Sequence, residues 1–116
     1  MDKELKTKQY EDIIIKYLSD NRTIATEQEG YERLVLSDKE QHHYQLLATG
    51  WATPSRFVNS ILVHLHIKPN GKVWLLENNT ELHVGDSLVS LGIPKTDIVL
   101  GFHPPQLRPY SGYAVA

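Results

Sequence analysis

The chain has 116 residues, a length that fits one domain and buries roughly two-thirds of its unfolded surface without covalent staples. It contains no cysteine, which excludes disulfides and thiolate metal sites and fits a reducing compartment. With 12 basic and 14 acidic residues the net charge is −2, which offers no long-range attraction to nucleic-acid phosphates.

The basic residues Arg22, Arg33, Lys39, Arg56, Lys68, Lys72, Lys95 and Arg108 are dispersed, so direct, strong DNA binding by this chain alone is not the expectation. The start, Met1-Asp2-Lys3-Glu4-Leu5-Lys6, is charged and has no apolar h-region, which argues against a signal peptide. No apolar run approaches the ~18 residues that span a bilayer. A soluble, cytoplasmic protein is expected.

Residues 3–19 read as an amphipathic helix, with Tyr10, Ile13, Ile14, Tyr17 and Leu18 on one stripe and Lys6, Glu11, Asp12 and Lys16 at the remaining positions. Residues 20–30 form a polar connection that ends on Gly30. A strand at 31–37 places Leu34 and Leu36 on one face and Tyr31, Arg33 and Val35 on the other. Ser37-Asp38-Lys39-Glu40 is a turn signal. The next strand, 42–51, alternates His43, Gln45, Leu47, Thr49 and Trp51 with Tyr44, Leu46, Ala48 and Gly50. Ala52-Thr53-Pro54-Ser55-Arg56 closes a hairpin.

Strand 57–67 is the longest, and alternation assigns Phe57, Asn59, Ile61, Val63, Leu65 and Ile67 to the core. Asn70-Gly71 suits a two-residue type I′ turn, which pairs Pro69 with Lys72, Ile67 with Trp74, Leu65 with Leu76 and His64 with Glu77. That register buries Trp74 and Leu76 beside Leu65 and Ile67. Residues 84–91 read as a short helix with Val84, Leu88 and Leu91 on one face and Gly92 just past its end. Pro94–Asp97 is a turn, Ile98–Leu100 a short buried strand or helical turn, and Pro104, Pro105 and Pro109 predict an extended tail. The fold class is α+β: an N-terminal amphipathic helix packed on a four- to five-stranded antiparallel sheet, with a short C-terminal helix and an extended tail.

Candidate chemistry starts with the histidines. His64 and His66 share a strand face, with His42 and His43 on the neighbouring strand and Glu77 within cross-strand reach. Such a cluster can hold zinc or nickel. The plainer reading, which we follow, is a polar sheet face with His64 paired to Glu77 and no metal. The carboxylates Asp38, Glu40, Glu77, Glu81, Asp86 and Asp97 match no nuclease spacing. There is no Gly-x-Ser-x-Gly elbow and no phosphate loop. No catalytic residue and no cofactor is therefore assigned. Phe102, Tyr110 and Tyr113 lie in a proline-rich stretch beside Arg108, a composition that suits an interaction surface for self-association, as a homodimer, or for docking.

Several stretches resemble the XisI-type fdxN-element excision controlling factors. They are His43-Tyr44-Gln45-Leu46-Leu47 with Gly50-Trp51, His64-Leu65-His66-Ile67, Gly71-Lys72-Val73-Trp74 with Asn79-Thr80-Glu81, and Gly92 through Phe102 with the Ala-Val-Ala end. The likeness implies one domain over residues 1–116. It also implies an accessory factor for developmentally controlled excision of a DNA element in nitrogen-fixing filamentous cyanobacteria. In that setting a separate site-specific recombinase cuts and rejoins the DNA, and a second accessory protein of the XisH type accompanies the factor. None of these stretches is a catalytic motif, so the resemblance implies a non-catalytic protein that acts through its XisH-type partner or the recombinase. The other readings are a DNA-contacting architectural factor, a small metal-dependent enzyme on the His64/His66 face, and an antidote-like subunit of a nuclease-fold partner.

Overall fold

The structure, a computed structural model, describes residues 3–22 and 30–116. Helix α1 (Lys3–Arg22) continues past the expected end at residue 19. The first residues of the expected connection 20–30 are thus helical, and most of the remainder lies outside the described residues. Tyr10, Ile14, Tyr17 and Leu18 are buried. Lys8–Asp12 at 2.9 Å and Lys16–Asp20 at 3.1 Å link successive turns on the solvent side. One residue departs from the amphipathic pattern: Glu11, expected on the polar side, is only 5 % exposed.

Strands β1 (Tyr31–Asp38), β2 (His43–Thr53), β3 (Arg56–Ile67) and β4 (Val73–Asn78) form an antiparallel meander in chain order. Asp38 organises the first turn: its Oδ1 accepts the Glu40 and Gln41 N–H groups, and its carbonyl accepts the His42 N–H. Tyr44, Leu46 and Ala48 of β2 face the core, opposite Ser37, Val35 and Arg33 of β1.

On β3 the alternation breaks. Leu46 lies opposite Val63, but Leu47 lies opposite Ile61, so Leu62 is an extra residue in a β-bulge. Val63, Leu65 and Ile67 are buried as expected, whereas Phe57, Asn59 and Ile61 fall on the opposite face and Phe57 is exposed. An inserted residue exchanges the two faces of everything beyond it.

The β3–β4 turn also differs from expectation. The Gly71 N–H bonds to the Lys68 carbonyl at 2.8 Å, the Lys68 N–H bonds to the Lys72 carbonyl at 3.0 Å, and Gly71 has φ +86. This is a three-residue loop, a turn centred on Pro69-Asn70 followed by a left-handed Gly71. It pairs Ile67 with Val73 and Leu65 with Leu75, which makes Val73 and Leu75 the core residues and turns Trp74 to the far face beside His66. A second bulge, at Leu76, restores the expected pairing of His64 with Glu77.

After β4 the chain crosses through α2 (Val84–Ser90) and a 3-10 turn (Lys95–Asp97) to β5 (Ile98–Leu100). β5 runs parallel to β4, so the five-stranded sheet is mostly, not wholly, antiparallel. A helical crossover is the connection that brings a strand back in parallel. At the end of α2 the Ile93 N–H bonds to the Leu88 carbonyl, the Gly92 N–H bonds to the Val89 carbonyl, and Gly92 has φ +119. That is the Schellman stop its sequence position implied. Val84 and Leu88 are buried, but Leu91, expected beside them, is exposed.

The tail is extended only in part. Pro105–Tyr110 winds into a 3-10 helix, since proline's fixed φ suits such a turn as well as an extended chain. Ala114 then bridges Val99, and its N–H bonds to the Ile98 carbonyl at 2.8 Å, which covers the open edge of β5. α1 and α2 cover one sheet face over a core that includes Ile14, Leu18, Tyr44, Leu46, Leu65, Ile67, Leu88, Ile93 and Ile98. Among the described residues no helix is long and apolar enough to cross a membrane.

Candidate functional site: a clamped tail, a histidine cluster and a cleft

The tail wraps the β5 edge and divides its four singled-out residues into two pairs. Arg108 is an anchor. Its Nε donates to the His103 carbonyl at 3.1 Å, one terminal nitrogen donates to the Val115 carbonyl at 3.3 Å, and its guanidinium carbon lies 4.8 Å from the centroid of the Trp74 ring. Lys68 Nζ sits 3.6 Å from the same ring centre. Tyr113 is the second anchor. It packs against the core, and its hydroxyl donates to Asp86 of α2. Burial first, and then the Asp86 carboxylate, push its phenol up to about 12. Phe102 and Tyr110 point outward instead, 47 % and 86 % exposed, and Leu107 and Val115, unremarked in the sequence, are exposed near them.

The histidines meet on the sheet face away from the helices. His43 stacks on His66 with ring centres 3.8 Å apart, and His43 Nδ1 lies 2.9 Å from His64 Nε2. His66 Nδ1 is 3.0 Å from the His42 carbonyl, a contact in which only the ring N–H can donate. Glu77 stands opposite His64 in register, while its Oε2 accepts the Asn79 side-chain N–H at 2.6 Å. His43 and His64 both titrate below the ordinary imidazole value. For His64, burial and then neighbouring His43 outweigh the opposing pull of Glu77. For His43, burial and then His66 outweigh Asp38. Among the described residues no three histidine or carboxylate side chains are arranged to hold a metal ion.

Periodicity missed a third place. A cleft of about 700 Å³ opens between the first turns of α1, the β1–β2 turn and the β3–β4 hairpin. Glu11 lines it, and its Oε2 accepts the Tyr44 hydroxyl at 2.6 Å, with His42 Nδ1 at 3.7 Å. Burial and Glu11 together raise the Tyr44 phenol far above its ordinary value. His42 Nδ1 is 3.2 Å from the same hydroxyl, and His42 is the one non-glycine with positive φ, +60, among the described residues. The only sequence hint was an acidic residue one position from the apolar stripe and a tyrosine on the inward face of β2.

The model of the XisI protein family matches residues 1–115. The chain belongs to the XisI family. A crystal structure of a XisI-like protein from Anabaena variabilis superposes with a TM-score of 0.77 at 30 % identity, covering 99 % of this chain and 100 % of that one. The crystal structure of the fdxN element excision controlling factor XisI from the same organism gives a TM-score of 0.73 at 32 % identity, covering 96 % of this chain and 99 % of that one. The comparison with curated proteins gave no match.

In this XisI-family chain the stretches that carry the likeness have structural work. The Asn79 backbone N–H bonds to the carbonyl of bulged Leu62 at 2.7 Å, and its side-chain N–H reaches the Ile61 carbonyl at 2.9 Å. Thr80 closes the following turn through Asn78 Oδ1. The Gly92–Phe102 stretch supplies the stop of α2, the 3-10 turn and β5.

Proposed function

We propose that this chain is a non-catalytic accessory factor in controlled, site-specific excision of a DNA element, a role in DNA recombination; the Anabaena variabilis XisI it resembles is named an fdxN element excision controlling factor. It works in the cytoplasm of a cyanobacterium through protein contacts, with an XisH-type accessory protein or the recombinase as partner. The observation that carries this reading is the tail. Arg108 holds its backbone and Tyr113 ties it to Asp86 of α2, while Phe102, Leu107, Tyr110 and Val115 stay exposed. Apolar and aromatic side chains on an already ordered segment lose little entropy on docking. Homodimerisation through the same side chains is compatible with this reading.

The test is co-expression with an XisH-type protein from the same genome, followed by pull-down and size-exclusion chromatography. Co-elution as one species, lost in the double variant Phe102→Ala, Tyr110→Ala, supports the reading. Separate elution, together with a salt-sensitive shift of labelled duplex by this chain alone, would replace it with direct DNA contact.

A further inference from the structure

The two edges of the sheet are finished differently. At β5 the tail lies along the outside, with the Ala114 N–H bonded to the Ile98 carbonyl. At β1 no strand lies beyond among the described residues. Tyr31–Asp38 contains no proline and no lysine, and it pairs with β2 without a register shift. Prolines, lysines and bulges are the usual devices that keep an edge strand from pairing with another chain, and β1 has none of them.

Peptide geometry says which groups this edge offers. The His42 carbonyl accepts the Ile67 N–H of β3 at 3.0 Å. In a trans peptide the following N–H points the opposite way, so the His43 N–H faces β1, where Asp38 stands opposite. Backbone groups alternate sides along an antiparallel strand. Asp38, Leu36 and Leu34 therefore turn theirs to β2, and Ser37, Val35 and Arg33 direct theirs out of the sheet.

We propose that β1 pairs antiparallel with β1 of a second copy, across a two-fold axis that passes normal to the sheet at Leu34 and joins two five-stranded sheets into one. Opposed residues of an antiparallel pair share a face, so the axis falls on a residue and not between two. At Leu34 it sets Arg33 opposite Val35 and Glu32 opposite Leu36, and no like charges stand directly opposed. Moved to Val35 it would oppose Glu32 and Asp38, moved to Arg33 it would oppose that residue to itself, and moved to Leu36 it would set Leu34 against Asp38. Leu34 also lies opposite Leu47 of β2. The axis at Leu34 thus makes an unbroken leucine row over four strands, on the face away from the helices. Pairing of this kind is self-limiting, because it uses both open edges and leaves the two tail-covered β5 strands outermost. The self-complementary order of β1 is what favours a second copy over a strand of another protein. This surface is separate from the tail, so it stands or falls apart from the docking reading.

The test is sedimentation-velocity ultracentrifugation of the full chain over a concentration series, joined to amide hydrogen exchange. A concentration-dependent dimer is expected, with the Arg33 and Val35 amides exchanging more slowly as concentration rises. Leu34→Lys or Leu34→Glu alone sets like charges face to face at the axis and should raise the dissociation constant about tenfold. An equimolar mixture of the two variants should recover the dimer as a mixed pair, since only a residue on the axis meets its own copy. The tail double variant Phe102→Ala, Tyr110→Ala should dimerise like the parent. A parent chain that stays monomeric at millimolar concentration, with Arg33 and Val35 exchange independent of concentration, overturns the proposal without recourse to any variant and leaves the edge to a strand of another protein. A dimer that survives Leu34→Lys, that is lost in the tail double variant, or that mixing fails to recover overturns it equally.

Discussion

Tyr44 on β2 donates its hydroxyl proton to Glu11 on α1 across the helix–sheet interface at 2.6 Å. The bond connects the fully buried Tyr44 to a carboxylate that is 5 % exposed, so the helix is held to the sheet by a polar contact inside an otherwise apolar layer.

Tyr44→Phe keeps the ring but leaves Glu11 Oε2 buried without its donor. Destabilisation by about 1–3 kcal/mol is expected, the cost of an unsatisfied buried acceptor. Urea unfolding would show it as a lower midpoint at unchanged slope. An unchanged midpoint would mean that Glu11 reaches water.

His43 and His64 titrate below the ordinary value of 6.5, so below that pH the unfolded chain binds more protons than the folded one. The sign is therefore fixed: stability is full above pH 6.5 and declines as pH falls from 6.5 through the lower folded values. Asp38 and Asp97, held below 3.8, lose their contribution only at pH below 3.8, which separates the two effects. For Asp97, burial pulls upward but hydrogen bonds from Lys6 and Tyr10 outweigh it. Melting temperature against pH should slope downward below 6.5, and His64→Gln should flatten that slope. An equal slope in the variant would place the effect elsewhere.

Arg108→Met keeps much of the side-chain bulk but removes the bonds to the His103 and Val115 carbonyls and the cation over Trp74. A cation–π contact at a partly exposed site is worth about 0.5–1 kcal/mol, so global stability should change little. The local effect should be larger: the Ala114 amide, bonded to Ile98, should exchange faster with deuterium. Exchange as slow as in the parent chain would show that the tail is held without Arg108.

A methyl at Gly101 would stand 2.7 Å from Trp74 Cε3 and 3.1 Å from Leu76 Cδ2. Gly101→Ala should cost about 1–3 kcal/mol by overpacking and alter Trp74 fluorescence. Unaltered fluorescence would mean that the ring does not lie against this backbone.

Tyr110→Ala changes a side chain that is 86 % exposed and should leave stability within about 0.5 kcal/mol. Lost partner capture at unchanged melting temperature would assign the residue to the interface, whereas a lower melting temperature would assign it to the fold.

The sequence by itself determined the elements that rest on local rules. The apolar stripe of α1, the alternation along β2, the inner half of β3, and the Gly92 stop each follow from spacing or a single backbone requirement, and each stands where expected. It also carried the family, through stretches that run from His43 to the Ala-Val-Ala end. Tertiary structure decided the rest. Period-two counting cannot see an extra residue, so the bulge at Leu62 reversed the faces of Phe57, Asn59 and Ile61. Pro69 takes the first central position of the β3–β4 turn, which sets the turn one position before Asn70-Gly71 and sends Trp74 out to meet Arg108. The parallel direction of β5 depends on a crossover rather than on its own three residues. Glu11 looked solvated because its burial is conferred by Tyr44 and His42, which are more than thirty positions away along the chain and reach it only once helix and sheet have packed.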